Sequence, residues 1–346
     1  MKNKITKVMN FALLIILMGV TFYVIFSNND INEIISLIGS GDVVKLIIGL
    51  FMALGSIACE AIIIYILLYV LKEKAKYYTC LKYSFIGFYY CAITPSATGG
   101  QPVQVYYMTK DGHKLSSSSI IVLVIIITYK VALLALIGAL AIFNGKTMLS
   151  SVSLPGVRIC FIFGLLVNAV CVALYLMILI SSDLLKRVLI AIIRFLGRIK
   201  LLRKVDKKIN KIVSLIDEYE EGVKFIKDNL KVLCPIMIIT LIQRIMLFSV
   251  PYVIYRFLGE NSVGYIDFLT LQIVLNTAVD SLPIPGGIGA NEIAFNKIYS
   301  LIYTQSLLVP AMVLTWGVNC YAMLVVSAVV SLIVYVRTSC RSKKSE

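Results

Sequence analysis

Thr94-Pro-Ser-Ala-Thr-Gly-Gly-Gln-Pro102 and, much later in the chain, Pro283-Ile-Pro-Gly-Gly-Ile-Gly-Ala-Asn-Glu292 are the two stretches that decide how this sequence folds. Each ends an apolar segment, Tyr77–Thr94 in the first case and Tyr265–Leu282 in the second. A helix cannot run smoothly through either, because each proline removes a backbone donor and paired glycines favour irregular backbone. Broken, polar backbone next to long apolar runs is tolerated at membrane depth only where protein or water covers it. The spacing therefore predicts two helical hairpins whose tips lie inside a membrane protein.

The sequence around these breaks supports the membrane setting. Hydrophobic residues make up 60% of the 346, and charged residues only 15%. Lipid can solvate that much apolar side chain, whereas a soluble domain of this size cannot hide it. Six further runs have bilayer length: Val8–Phe26, Val43–Leu71, Ile120–Phe143, Val157–Ile180, Val232–Leu258 and Leu308–Val336. The first follows Lys2, Lys4 and Lys7 and lacks a small-x-small cleavage site, so residues 1–30 read as a retained signal-anchor helix. The expected fold is all-α and polytopic, with about six full transmembrane helices and two re-entrant hairpins.

Aligning Gly99-Gly100 with Gly286-Gly287 pairs Val43–Leu71 with Val232–Leu258, and Ile120–Phe143 with Leu308–Val336. An odd number of crossings separates the two units, so the repeat is expected to be inverted, an arrangement characteristic of transporters. Residues 43–180 form the first repeat and a linking span, 181–231 a basic elbow, 232–336 the second repeat and 337–346 a basic tail. As the alternative to a hairpin, Tyr77–Thr94 is long enough to cross fully.

The formal charge of +15 invites a nucleic-acid reading, but its distribution argues otherwise. Loops assigned inward carry 26 of the 33 lysines and arginines, thirteen of them over Lys186–Lys231. That asymmetry follows the positive-inside rule and predicts cytoplasmic termini. The 186–211 cluster has only Phe195 among its basic residues, which excludes a nucleic-acid surface with interleaved aromatics. Leu184, Leu185, Val188, Leu189, Ile192, Ile193 and Leu196 recur at helical spacing with Lys186, Arg187, Arg194 and Arg198 between them. Such a face suits anionic headgroups on the inner leaflet, or equally a solvated elbow between two halves. The eight cysteines form no CxxC pair and read as small buried hydrophobes. No cofactor or metal is implied, and no enzymatic motif appears. His113, the only histidine, stands between Gly112 and Lys114 and reads as a surface residue.

Glu60, Lys130 and Arg244 fall near the centres of three spans. An ionised group there costs at least about 2.5–3.5 kcal/mol, so such residues pair, face an aqueous cavity or serve function. Two cations and one anion leave a surplus positive charge for a guest such as a lipid phosphate. The bland alternative is a scaffold in which Glu60 pairs with one cation and an acid from a hairpin tip takes the other. At the first tip the candidate residues are Thr94, Pro95, Gly99, Gly100 and Gln101. At the second they are Asp280, Pro285, Gly286, Gly287, Gly289, Asn291 and Glu292. Return helices starting at these tips would aim amides and the positive dipole end at the midplane, a seat for phosphate. Glu292 is either a helix cap or a reader of a cationic headgroup, a proton or a coupling ion.

The tip motifs, Thr94-Pro-Ser-Ala-Thr-Gly-Gly-Gln-Pro-Val-Gln-Val and Pro285-Gly-Gly-Ile-Gly-Ala-Asn-Glu, resemble the transmembrane domain of the lysylphosphatidylglycerol synthase/flippase family, over residues from about 5 to 336. The resemblance implies a multi-pass protein of the bacterial cytoplasmic (inner) membrane. It also implies movement of aminoacylated phosphatidylglycerol between leaflets, which lowers surface negative charge and protects against cationic antimicrobial peptides. In two-part members a C-terminal cytoplasmic domain transfers lysine from charged tRNA. This sequence ends at Glu346, soon after the last span, so that domain is expected to be absent. The function expected is flippase-like translocation of a phospholipid, anionic or aminoacylated phosphatidylglycerol. The alternatives are a non-transporting partner of a lipid-modifying enzyme, and a lysyltransferase by family name alone. The partners implied are membrane phospholipid, anionic headgroups at the 186–211 face, and a second copy of the chain or a lipid-modifying enzyme, with no nucleic acid.

Overall fold

The computed structural model describes residues 41–94, 99–180, 227–282 and 289–342, with isolated positions between 186 and 224. The predicted span Val8–Phe26, most of the 181–231 elbow, and Pro95, Pro285, Gly286 and Gly287 lie outside the described residues. Among the described residues every regular element is helical. Asp42 opens α1 (Val43–Val70), its carboxylate accepting from the Val44 amide at 3.1 Å. Then follow α2 (Tyr77–Ala92), α3 (Gly100–Lys110), α4 (Leu115–Phe143), the short α5 (Gly145–Val152) and α6 (Val157–Ile180). The second half has α7 (Leu233–Phe257), α8 (Tyr265–Asp280), α9 (Ala290–Tyr299) and α10 (Gln305–Trp316). A π-helical turn, Gly317–Ala322, joins α10 to α11 (Met323–Ser342).

Five helical stretches are long and apolar enough to cross a membrane: Val43–Val70, Leu115–Phe143, Val157–Ile178, Leu230–Phe257 and Gln305–Val334. These correspond to five of the six runs expected from sequence. The lengths recur in order. Helices of 28, 16, 11 and 29 residues in the first half are followed by stretches of 28, 16, 10 and 30 in the second.

Helices α1 and α7 pack antiparallel along their whole lengths. Lys45 Nζ donates to the Arg256 carbonyl at 2.9 Å at one end, and Gln243 Nε2 to the Ser56 carbonyl at 3.0 Å near the middle. Small residues allow this close approach, as in membrane helix pairs generally: Gly49 meets Val250 and Val253, and Ala53 and Ser56 are buried behind it. Gln243 and Ser56 stand 187 residues apart, the offset that brings Gly99 onto Gly286.

Helices α2 and α3 fold back on one another as an antiparallel hairpin. Gly100 lies so close to Gly87 that an added Cβ would overlap the Gly87 carbonyl and the Cys91 sulfur. At the open end Tyr83 Oη donates to Asp111 at 2.7 Å, and Lys82 pairs with the same carboxylate. His113 Nδ1 meets Glu73 Oε2 at 2.6 Å, joining the residue before the hairpin to the residue after it. Helices α8 and α9 make the second antiparallel hairpin. Its open end is held by tilted and edge-on rings, Tyr255, Phe268, Tyr299 and Tyr303, with Tyr299 Oη donating to Gln272 at 2.7 Å. The two open ends sit at opposite ends of α4. The first adjoins the start of α4 at His113, whereas Asn144 and Thr147, just past its finish, donate to Asp267 at 2.9 and 2.6 Å.

Two backbone details follow from sequence. Pro251 lies inside α7 and has no N–H, so the Leu247 carbonyl loses its helical donor. Asn319 Nδ2, from the π turn, donates to that carbonyl at 3.4 Å. Gly164 of α6 approaches α8 so closely that any side chain would overlap the Thr277 carbonyl, and Asn168 reaches Ser281 at 3.3 Å one turn on.

Two outcomes are expected. In a background free of native cysteines, Lys74→Cys and Lys114→Cys should react with an impermeant reagent from the same side of the membrane; reaction from opposite sides would contradict the Glu73–His113 junction. Asn319→Leu should lower thermal stability by about 1 kcal/mol, the scale of one lost hydrogen bond to a buried carbonyl. Most of that loss should vanish in a Pro251→Ala background, where the helix supplies its own donor. Equal losses in both backgrounds, read from melting curves, would dissociate Asn319 from the proline.

Candidate functional site: a charged cluster at mid-membrane depth

The charges picked out at mid-span converge. Lys130 is the sixteenth residue of the 29-residue α4, and its Nζ donates to Asp280 Oδ2 at 2.9 Å. Asp280 ends α8 and so belongs to the tip of the second hairpin. The neighbouring Tyr129 Oη donates to the same oxygen at 3.1 Å. Arg244, midway along α7, lays its guanidinium over the Tyr129 ring, 4.5 Å from the centroid, while the Lys130 ammonium lies 5.0 Å from it. A cation over a tyrosine ring gains about 0.5–2 kcal/mol from the ring quadrupole.

Glu60 comes from α1 and is half-buried. Its Oε1 accepts from Gln104 Nε2 at 2.6 Å, and Arg244 lies within electrostatic reach. Gln104 is on α3, so the first hairpin touches the cluster too, and Cys91 near its tip also neighbours Glu60. The two hairpins therefore reach one polar centre from opposite ends of α4.

The charge count differs from the sequence expectation. With Asp280 in contact the centre holds two cations and two anions, so there is no surplus positive charge. An acid from a hairpin tip does take one cation, Lys130. Glu60, by contrast, forms no ion pair among the described residues, and no carboxylate lies within 4.0 Å of Arg244. The Arg244 Nε is buried without a hydrogen-bond partner, and so is the Asn276 amide nitrogen beside Tyr129.

The tip residues have more local tasks. Thr94 Oγ1 donates to the Tyr90 carbonyl at 2.6 Å and accepts from the Gly99 amide at 2.9 Å, so that amide is already occupied. Gly99 and Gly100 are required by closeness and not by unusual backbone, since Gly99 has φ −83°. Gly289 is the reverse case: its φ of +84° in open space favours glycine. Gln101 and Asn291 sit in the first turns of α3 and α9, outside the contacts just described. Glu292 stands in the first turn of α9, and its Oε2 is buried without a hydrogen-bond partner.

Sequence reasoning missed Gln104, Gln243, Tyr129 and Asn276. Gln104 lies within the first motif, and Tyr129 precedes Lys130, but neutral polar residues do not stand out in a span as charges do. His113 is not the surface residue expected: its side chain is 9% exposed, against Glu73 and the edge of Tyr83.

Five membrane-length helical stretches, with opposite charges meeting near the middle of three of them, define a multi-pass membrane protein. The family model for the lysylphosphatidylglycerol synthase TM region matches residues 9–327, and the chain belongs to that family. A search of curated proteins returns no significant match.

Pairing at the centre has a measurable signature. Lys130→Met or Asp280→Asn alone should cost about 3 kcal/mol of stability, because each leaves a charge without its partner at membrane depth. Lys130→Met/Asp280→Asn together should cost less than either alone. Additive losses in a double-mutant cycle by thermal melting would show that the two charges act separately.

Proposed function

We propose that the protein is a flippase-like translocator that carries a phospholipid of the phosphatidylglycerol type, aminoacylated or not, between leaflets of a bacterial cytoplasmic membrane. In this view the hairpins α2–α3 and α8–α9 are re-entrant, one from each face, within two inverted repeats, and both termini are cytoplasmic. The observation that carries it is the meeting of the two oppositely directed hairpins at one charged centre halfway along α1, α4 and α7. Matching helix lengths, the antiparallel α1–α7 pair and the 187-residue offset at its contact support the repeat. Transporters built from inverted repeats place their polar site where broken helices meet, and alternate its exposure by rocking one repeat against the other. A headgroup would travel from one mouth to the other through this centre while its acyl chains stay in lipid.

Each part has a role in that cycle. Arg244 offers a guanidinium to a phosphate, and Glu60 a carboxylate to a cationic group. Lys130 and Asp280 tie α4 to the second hairpin, while Gln104 ties the first hairpin to Glu60. Glu292 would read a cation or carry a proton at the start of α9. Hairpins of 16 and 10 or 11 residues, packed on a pair of long helices, are the elements that would move.

The test is reconstitution. In liposomes the chain should speed exchange of a labelled phospholipid between leaflets. Gly286→Leu with Gly287→Leu should abolish exchange in protein that still inserts and melts normally. A rate equal to that of empty liposomes for every phospholipid tried would overturn the proposal and favour a non-transporting membrane partner. Lysyl lipid formed from lysyl-tRNA and phosphatidylglycerol by this chain alone would favour the transferase.

A further inference from the structure

Of the four central charges, two are partnered by each other and two are not. Lys130 and Asp280 are in direct contact at 2.9 Å. Glu60 is held by a neutral amide, Gln104 Nε2 at 2.6 Å. Arg244 has only the Tyr129 ring beneath it, a buried Nε without a partner, and no carboxylate within 4.0 Å among the described residues. Glu60 and Arg244 come from α1 and α7, the helices held together at Ser56 and Gln243, one turn before Glu60 and one residue before Arg244. The carboxylate and the guanidinium therefore face one region without meeting. An unpaired charge away from water is costly, so such a pair suits a guest that satisfies both ends.

From this we infer that the site selects a lipid headgroup carrying one phosphodiester and one ammonium. The planar guanidinium of Arg244 matches two phosphate oxygens and has donors to spare, Nε among them. The ammonium goes to Glu60, displacing the neutral Gln104 amide in favour of an ionic contact. The four side chains cancel in formal charge, so a net-neutral headgroup leaves nothing unmatched. A glycerol headgroup supplies a phosphate and no cation, leaving Glu60 to face the added negative charge. A headgroup with two ammoniums leaves one without a carboxylate, because Asp280 is already held by Lys130 and Tyr129.

This narrows the headgroup of the transport proposal to one with a single ammonium, away from unmodified or doubly cationic phosphatidylglycerol, with phosphatidylethanolamine as the probe. It rests on that proposal for one of two readouts. The purified full-length chain is titrated with phosphatidylethanolamine, phosphatidylglycerol and lysylphosphatidylglycerol, with bound lipid followed by native mass spectrometry. The same lipids are compared in the liposome exchange assay. Phosphatidylethanolamine, with one phosphodiester and one ammonium, should bind at least about 10-fold more tightly than either of the others, a factor worth about 1.4 kcal/mol. Glu60→Gln keeps the size and the Gln104 contact and should reverse the order in favour of phosphatidylglycerol. Arg244→Gln should weaken all three, and Arg244→Lys should restore part of the loss. Equal or tighter binding of phosphatidylglycerol by the unmodified chain would overturn the inference, whether or not the variants fold. So would an unchanged order in a Glu60→Gln protein that melts normally. The expected binding order without leaflet exchange would uphold the inference and remove the transport function. Exchange without headgroup preference would do the opposite.

Discussion

The antiparallel seam between α1 and α7 is the contact on which the other elements depend. It is made by small residues, Gly49, Ala53 and Ser56, against the Val250 side of α7, and it is closed at one end by Lys45 on the Arg256 carbonyl. In lipid no hydrophobic force drives helices together, so close van der Waals approach and interhelical hydrogen bonds must hold them. The seam carries both. It also sets Glu60 and Arg244 on adjoining helices near mid-depth, and each hairpin core is built against one side of it: Ala61, Ile64 and Leu68 beneath the first, Phe248 and Tyr255 beneath the second.

The central cluster shows how a membrane interior can hold four ionisable side chains. Lys130 and Asp280 remove each other's cost by contact. Glu60 relies on neutral donors, and Arg244 on a ring face. The last two arrangements lower the cost of the charges without an ion pair among the described residues. Purely structural charges would be expected to pair throughout, as Lys130 and Asp280 do.

Much of this was legible in the sequence because membranes make errors expensive. Five spans, both hairpin helices and the mid-span charges could be read from apolar length, proline and glycine, and the cost of burying an ion. Where the outcome differed, the determinant was a long-range contact or a cheap residue. Asp280 was placed at a hairpin tip but left out of the charge tally, because only folding brings it to Lys130. His113 was read from its neighbours Gly112 and Lys114, yet Glu73, forty residues earlier in the chain, is what covers it. Gly99 is closed in by Thr94 of its own motif, but the limit on Gly100 is one no local pattern holds, since it comes from Gly87 and Cys91 on the facing helix. Gln104 and Gln243 carried no flag because an amide in a span costs far less than a charge.

The two hairpins are fastened at their open ends by different physics. The first relies on charge: Glu73 with His113, and Asp111 with Lys82 and Tyr83, in side chains of which Lys82 and Asp111 remain 22% and 33% exposed. The second relies on rings, with Tyr255 and Tyr299 wholly buried against Phe268, and on hydrogen bonds, among them Asn144 and Thr147 to Asp267, with no ion pair there among the described residues. Mobile ions screen partly exposed charges over a length of about 8 Å at physiological ionic strength, and they leave buried ring contacts untouched. The two ends of the molecule therefore answer to different solution conditions. A rise in salt should loosen the fastening of the first hairpin more than that of the second, so two hairpins of matching helix length are held closed with unequal sensitivity to the medium.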